Sequence, residues 1–194
     1  MLFAGCSFCR GTGEEQPELF RDKDRNNIVK QNEKYVQESA MQRTKQLDRV
    51  LEEALDHIRN MAYWVENSMD SPEVKAEQLQ EMTDNSAFDY VRFTDANGIN
   101  MAADGRTNDA TDRKYFQNGM AGKTGMSVTE RSRITNETLV NFYTPLRYHG
   151  EIIGVLRGVY LADRHMKSLL ETSFFGVEAS TYLCSADGTV ISGS

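Results

Sequence analysis

The sequence predicts an α/β (α+β) fold in which a long N-terminal helix precedes a central antiparallel sheet of about five strands. Residues 28–67 contain neither glycine nor proline, and their apolar residues recur every three or four positions, as on one face of a helix. After residue 87 the period changes to two, which is typical of strands. The strand–turn–strand pattern around Gly98 returns around Gly188, which indicates that a second, similar module begins there.

The composition is that of an ordinary globular chain and argues against a nucleic-acid partner. The 194 residues include 22 Lys and Arg and 29 Asp and Glu, a net charge of −7, whereas nucleic-acid binding needs clustered cations. The hydrophobic fraction of 39% and the charged fraction of 26% are typical of globular domains. The uncharged run Met1 to Cys9 is far shorter than the ~20 residues that span a bilayer. We therefore expect no membrane crossing within this sequence.

The long helix follows residues 1–27, which we expect to be loose because 10–27 are polar, charged and contain glycine. Forty helical residues extend ~60 Å, which is longer than a compact domain of this size is wide. The half before Leu47 is the more polar one. We therefore expect the C-terminal half to pack on the sheet and the other half to project, toward a partner or a membrane attachment.

The remaining elements follow in a regular order. Ser71-Pro72-Glu73 has the residue types of a helix start, and Asp95-Ala96-Asn97-Gly98 has those of a turn between strands. The apolar run Ile152 to Leu161 is typical of a central strand that is covered on both faces. The predicted elements are a helix at 72–83, strands at 88–94 and 99–103, a loop at 104–111, a helix at 113–118 capped by Asp112, strands at 125–131, 138–147 and 151–161, a helix at 162–173, and two short strands within 181–194.

This order resembles the double Cache family, the PAS-like extracytoplasmic sensor domains of bacterial chemoreceptors, histidine kinases and diguanylate cyclases. The resemblance covers about 28–194, and it implies a first Cache module over 28–180 and the beginning of a second over 181–194. The strings that carry it are Thr94-Asp95-Ala96-Asn97-Gly98, Asp112-Arg113-Lys114-Tyr115-Phe116, Ala121-Gly122-Lys123, Thr144-Pro145-Leu146 and Gly150-Glu151-Ile152-Ile153-Gly154-Val155.

The resemblance implies a sensor that binds a small molecule in its membrane-distal module and transmits occupancy through the long helix. The intact protein would then be membrane-anchored, its sensor periplasmic or extracellular, and the long helix a candidate element for homodimerisation. The resemblance implies neither catalysis nor a cofactor. An interaction or dimerisation domain without a small-molecule ligand is the alternative.

The resemblance places the ligand at the Arg-x-Tyr-Phe element, with Arg113 and Tyr115 as the main candidates. An arginine fork matches a carboxylate because two parallel N–H donors meet two oxygens; pairing of Arg113 with an acidic neighbour is the structural alternative. Tyr143 is expected to face the same pocket, and Arg131 and Tyr160 on neighbouring strands are further candidates. Relatives that bind free amino acids carry an acidic residue near the end of the last strand, which here reads Gly158-Val159-Tyr160-Leu161. We therefore expect a simple carboxylate rather than an amino acid.

Motifs of other function classes are weak or missing. The sequence contains no G-x-S-x-G, H-E-x-x-H or phosphate-binding loop, which argues against an enzyme. Cys6 and Cys9 form a C-x-x-C, and a zinc site would need Cys184 and a histidine as well. We expect no metal. Phe3-Ala4-Gly5-Cys6 also resembles the end of a lipoprotein signal peptide, without the apolar stretch that should precede it.

Overall fold

The computed structural model describes residues 3–7, 22–132, 137–162, 164–165, 173–174, 177–178, 180–184, 188 and 190–193. Its elements in chain order are β1 (Phe3–Ser7), α1 (Asp22–Ser68), α2 (Ala76–Asp84), β2 (Tyr90–Asp95), β3 (Ile99–Met101), β4 (Thr107–Asp109), α3 (Lys114–Met120), β5 (Gly125–Arg131), β6 (Thr138–Tyr148), β7 (Glu151–Leu161), β8 (Ser173–Phe174), β9 (Val177–Glu178), β10 (Ser180–Cys184) and β11 (Val190–Gly193). The chain divides into two compact units, Met1–Asp48 with Met166–Ser194, and Arg49–His165.

The unit Arg49–His165 contains a six-stranded antiparallel sheet in the order β4-β3-β2-β7-β6-β5. The two longest strands, β6 and β7, form a hairpin whose turn residues His149 and Gly150 have φ angles of 50° and 88°. Positive φ at both turn positions gives the backbone twist that suits a two-residue hairpin. The predicted α+β fold with a long helix and an antiparallel sheet is therefore confirmed.

Helix α1 is continuous from Asp22 to Ser68, as predicted except for its start, which lies six residues before Ile28. Neither glycine nor proline occurs between 22 and 28 to stop the helix earlier. From Arg49 onward, one stripe of α1 is buried: Leu51, Ala54, Ile58, Ala62 and Val65. The His57 ring lies 5.7 Å from the ring of Phe88, and Glu66 Oε1 accepts the Arg147 amide at 2.7 Å. The C-terminal half of α1 therefore packs on the sheet.

Side chains of the sheet alternate between two faces. We call the side toward α1, which carries Phe142 and Tyr160, the α1 face, and the side toward α3, which carries Tyr143 and Arg157, the α3 face. Gly158 lies opposite Phe142 on the α1 face, and a Cβ there would be 2.5 Å from the Phe88 ring. Glycine at this position therefore lets the ring lie directly on the backbone.

The other unit contains short strand pairs. β1 pairs with β10 and β10 with β11, and β8 pairs with β9, all antiparallel. The two short strands expected within 181–194 are confirmed, although β10 begins at Ser180. Residues 3–7 form a strand, so the expectation of a loose segment over 1–27 was wrong for these residues. They carry no charge, and they form a strand because they pair with β10. The division into a first module over 28–180 and a second from 181 stays a prediction.

Two further boundaries differ from expectation. β4 lies in the predicted loop 104–111; its three residues are exposed and pair with β3. Helix α2 begins at Ala76 rather than at 72, because Gln78 Oε1 accepts the Lys75 amide at 2.9 Å and so caps the helix there. The predicted helix 162–173 falls largely outside the described residues.

Candidate functional site

The N-terminus of α3 carries the first candidate, Arg113. Its backbone is extended and forms the N-cap, so the expectation that Asp112 caps this helix was wrong. The Arg113 side chain is 19% exposed, and its Nε lies 3.9 Å from Asp112 Oδ1. Arg113 therefore forms a long ion pair with its acidic neighbour at the N-terminus of α3, which is the structural alternative expected from the sequence.

Tyr115 lies two residues further along α3 and is buried completely, with 1% of its surface exposed. Its hydroxyl is 3.4 Å from Thr94 Oγ1, and its ring stacks on the guanidinium of Arg157 with 4.3 Å between the guanidinium carbon and the ring centre. Tyr115 therefore connects α3 to two strands of the sheet.

Tyr143 is brought into the same cluster as Tyr115. The cluster consists of Ala110, Tyr115, Phe116, Tyr143 and Val155. The Tyr143 hydroxyl accepts a hydrogen bond from Asn118 Nδ2 at 3.2 Å. A Cβ at position 125 would lie 2.9 Å from this hydroxyl, so Gly125 leaves the space that it occupies.

Arg157 is a buried cation that the sequence interpretation did not single out. Its Nη1 donates to Asn141 Oδ1 at 2.9 Å and its Nη2 to Asn100 Oδ1 at 3.4 Å, while 7% of the residue is exposed. The partners are neutral amides. The sequence does contain a signal for Arg157, because it is the one charged residue in the apolar run 152–161.

A second arginine adds to the positive charge on this face. Arg92 in β2 lies directly opposite Arg157 in β7, with its guanidinium carbon 4.6 Å from the Tyr90 ring centre. Burial, and next the charge of Arg157, lower the pKa of Arg92. Burial likewise raises the pKa of Tyr90, although both arginines oppose that shift. Among the described side chains, no carboxylate lies within ion-pair distance of Arg92 or Arg157.

Tyr160 is not brought together with these residues. Tyr160 lies on the α1 face, where its ring is 5.1 Å from those of Phe88 and Phe142 and 4.1 Å from that of His165. The reason is a one-residue bulge between Leu146 and Arg147, which shifts the β6–β7 register and with it the face of each residue of β7 beyond the bulge. The Arg131 backbone pairs with Thr138, and its side chain lies outside the described residues.

A cleft of about 230 Å³ opens beside β2. It is lined by residues of α2, β2 and the segment after β3, including Thr83, Tyr90, Arg92, Ala102 and Asp104. Arg92, the member of the arginine pair that lies in β2, therefore borders this cleft.

The described residues contain no group of three or more His, Cys, Asp or Glu side chains that could hold a metal ion. Cys9 and the side chain of Cys6 lie outside the described part, so the C-x-x-C remains untested. Within the described ranges, no helix combines the length and the apolar character that a bilayer span requires.

Solved structures share this fold. The ligand-binding domain of the Pseudomonas aeruginosa amino acid chemoreceptor PctC, in complex with GABA, matches 83% of the chain over 75% of its own length, with a TM-score of 0.67 and 18% identity. The ligand-binding domain of the Pseudomonas fluorescens chemoreceptor CtaA, in complex with L-isoleucine, matches 88% of the chain over 72% of its own length, with a TM-score of 0.69 and 19% identity. The ligand-binding domain of the Campylobacter jejuni chemoreceptor Tlp3, in complex with 4-methylisoleucine, matches 90% of the chain over 74% of its own length, with a TM-score of 0.70 and 10% identity.

The chain therefore has the Cache-type fold of chemoreceptor sensor domains, as its resemblance to the double Cache family implied. No protein-family model and no curated protein matches the sequence.

Proposed function

We propose that the chain is the extracytoplasmic ligand-sensing domain of a bacterial transmembrane signalling receptor and binds a small carboxylate without converting it. The observation that carries the proposal is a pair of cations beside α3: Arg113 is the N-cap residue of this helix, and Arg157 stacks on the ring of Tyr115. The fold supports it, since structures with the same fold are ligand-binding domains. The ligands in those structures, GABA and isoleucine, also carry a carboxylate.

Each candidate has a distinct role in this proposal. Arg113, which is partly exposed, binds the ligand carboxylate through its two parallel N–H donors. Tyr115 and Tyr143 close the inner wall of the site and fix α3 against the sheet. Arg131 remains a candidate from the sequence alone, and Tyr160 is left out because it lies on the α1 face.

The receptor context is the second part of the proposal. A membrane anchor would precede α1, and the output domain would be that of a chemoreceptor, a histidine kinase or a diguanylate cyclase. Helix α1 would also pair with its copy in a homodimer. The support for pairing is that Tyr63 and Trp64, adjacent aromatic residues of α1, are 69% and 54% exposed.

A thermal-shift screen of this chain against short carboxylic acids and amino acids, followed by calorimetric titration of the hits, tests the binding function. We expect at least one acid to stabilise the chain and to bind with one-to-one stoichiometry. If no compound of either class stabilises it, the ligand-sensing proposal fails and the interaction or dimerisation domain becomes the better interpretation.

A further inference from the structure

Three buried polar atoms on the α3 face have no hydrogen-bond partner within the described part of the chain. Among the described residues, Ser127 Oγ, Asn141 Nδ2 and Arg157 Nε are the buried side-chain nitrogen and oxygen atoms without a hydrogen-bond partner. They belong to the adjacent strands β5, β6 and β7. Ser127 lies directly opposite Asn141, and Asn141 accepts from Arg157 Nη1 at 2.9 Å. The three residues therefore form one cluster, which we call the Arg157 cluster.

The hydrogen-bonding capacity of the cluster defines what it can bind. Arg157 Nε and Asn141 Nδ2 can only donate, and the Ser127 hydroxyl can also donate. A group that satisfies all of them must accept several hydrogen bonds at once, as a carboxylate does through its two oxygens. An ammonium group has only donors, so it could satisfy the Ser127 hydroxyl at most and would leave Arg157 Nε and Asn141 Nδ2 without an acceptor.

The charge of the surroundings favours the same ligand group. Arg157 and Arg92 lie directly opposite each other on neighbouring strands, an arrangement in which like charges repel. All three members of the cluster are more than nine-tenths buried, and a buried charge is costly unless it is paired. A ligand anion next to Arg157 would remove the repulsion and supply the missing acceptor.

The Arg157 cluster is distinct from the position at Arg113. Arg113 stands at the N-terminus of α3 beside Asp112, whereas Arg157 lies below the Tyr115 ring of the same helix. We propose that the domain binds a ligand with two acidic groups, of the dicarboxylate class, one at Arg113 and the other at the Arg157 cluster. This inference rests on the proposed function, because it specifies the ligand of the same site.

The test compares dicarboxylates with monocarboxylates of equal carbon number: malonate with propionate, succinate with butyrate, and glutarate with valerate. Isothermal titration calorimetry is carried out on the wild-type chain and on the variants Ser127→Ala and Arg157→Gln. At one chain length, we expect the dicarboxylate to bind at least ten times more tightly than its monocarboxylate partner. Arg157→Gln should abolish this preference, and Ser127→Ala should reduce it several-fold.

Ser127→Ala removes only a hydroxyl without a partner, so this variant decides the matter even if Arg157→Gln does not fold. Equal affinity for both members of every pair, or an undiminished preference in Ser127→Ala, would overturn the second position and leave the proposed function intact. Tighter binding of 4-aminobutyrate, whose second group is an ammonium, than of succinate would also overturn it, because Arg157 Nε and Asn141 Nδ2 offer an ammonium group no acceptor. Failure of all acids and amino acids to bind would overturn the proposed function itself.

Discussion

Arg157 and Tyr115 are stacked, with the guanidinium carbon of the strand residue 4.3 Å from the ring centre of the helix residue. Cation–π contacts of this kind are strengthened when water is excluded, and Tyr115 is buried completely. Asn141 and Asn100 hold the two terminal nitrogens from below. The guanidinium is therefore fixed from three sides, and its Nε is the part left for another group.

Replacement of Arg113 should remove ligand-induced stabilisation. A ligand at one hundred times its Kd stabilises a domain by about 2.7 kcal/mol, and each kcal/mol raises the Tm of a chain of this size by about 2–4 °C. We expect the best acid of the screen to raise the wild-type Tm by about 5–10 °C and the Arg113→Ala Tm by much less, as measured by differential scanning fluorimetry.

The matched control for that experiment is Arg106→Ala. Arg106 is exposed and pairs with Asp104 at 2.6 Å, and surface pairs contribute little to stability. The Arg106 variant should keep both the unliganded Tm and the full ligand-induced shift. If Arg113→Ala and Arg106→Ala behave alike, Arg113 has no role in binding.

Alanine at position 158 should destabilise the domain by overpacking. The new Cβ would lie 2.5 Å from the Phe88 ring, which is itself 4% exposed and has little room to move. Overpacking of this kind costs about 1–3 kcal/mol, which corresponds to a Tm decrease of several degrees. Because Phe88→Leu makes room, the double variant should lose less stability than the sum of the two single losses. Additive losses in urea unfolding would show that the two side chains do not compete for space.

Removal of the Asp89 carboxylate should loosen the end of β7. Asp89 Oδ2 accepts the Leu161 amide at 2.7 Å and lies 3.0 Å from His165 Nε2, while Oδ1 pairs with Arg164. The Asp89 side chain is 4% exposed, but that of Arg164 is 69% exposed. The hydrogen bond from the Leu161 amide should therefore contribute more to stability than the pair with Arg164. Loss of a buried acceptor costs about 1–3 kcal/mol, and Asp89→Ala should fall in this range.

Asp89→Asn is the comparison, because the amide keeps an oxygen for the Leu161 N–H. Its loss of stability in urea unfolding should be smaller than that of Asp89→Ala. Equal losses would attribute the whole effect to the contacts with Arg164 and His165.

Stability should fall above pH 10 in a manner that depends on Tyr160. Burial, and next the negative charge of Asp89, raise the pKa of Tyr160 above the usual value of 10.0. The folded state then holds this proton at a pH where the unfolded state has lost it, so the free energy of unfolding decreases as the pH rises from 10 toward the folded-state pKa. Tyr160→Phe should flatten this part of the Tm–pH profile, whereas Tyr63→Phe, at a position 69% exposed, should leave it as in the wild type.

The sequence predicted the elements with a strong period and failed where the period was absent or a bulge changed it. Strands β5 and β7 have the predicted bounds, because turn residues limit them clearly. β4 was missed because its residues Thr107–Asp109 are all polar and exposed. These residues form a strand because they pair with the edge of β3. A pairing between strands is not visible in the local sequence pattern.

The candidate site was less predictable than the fold, and Tyr160 shows why. A regular hairpin through His149 and Gly150 would place Tyr160 opposite Leu139, on the face of Tyr143. The bulge after Leu146 instead places it opposite Val140, and a one-residue shift moves every side chain beyond it to the other face. Arg157 moves to the α3 face by the same shift. The location of a bulge is set by tertiary packing and is not encoded in an alternating pattern.

The alternation along β6 and β7 also separates two tasks for protein engineering. Asn141, Tyr143, Arg157 and Val159 point toward α3, whereas their immediate neighbours Phe142, Gly158 and Tyr160 support α1. A combinatorial library confined to the first group would vary recognition while the side chains that pack against α1 stay untouched. New specificities should therefore be obtainable in this domain by changing alternate residues of a single hairpin.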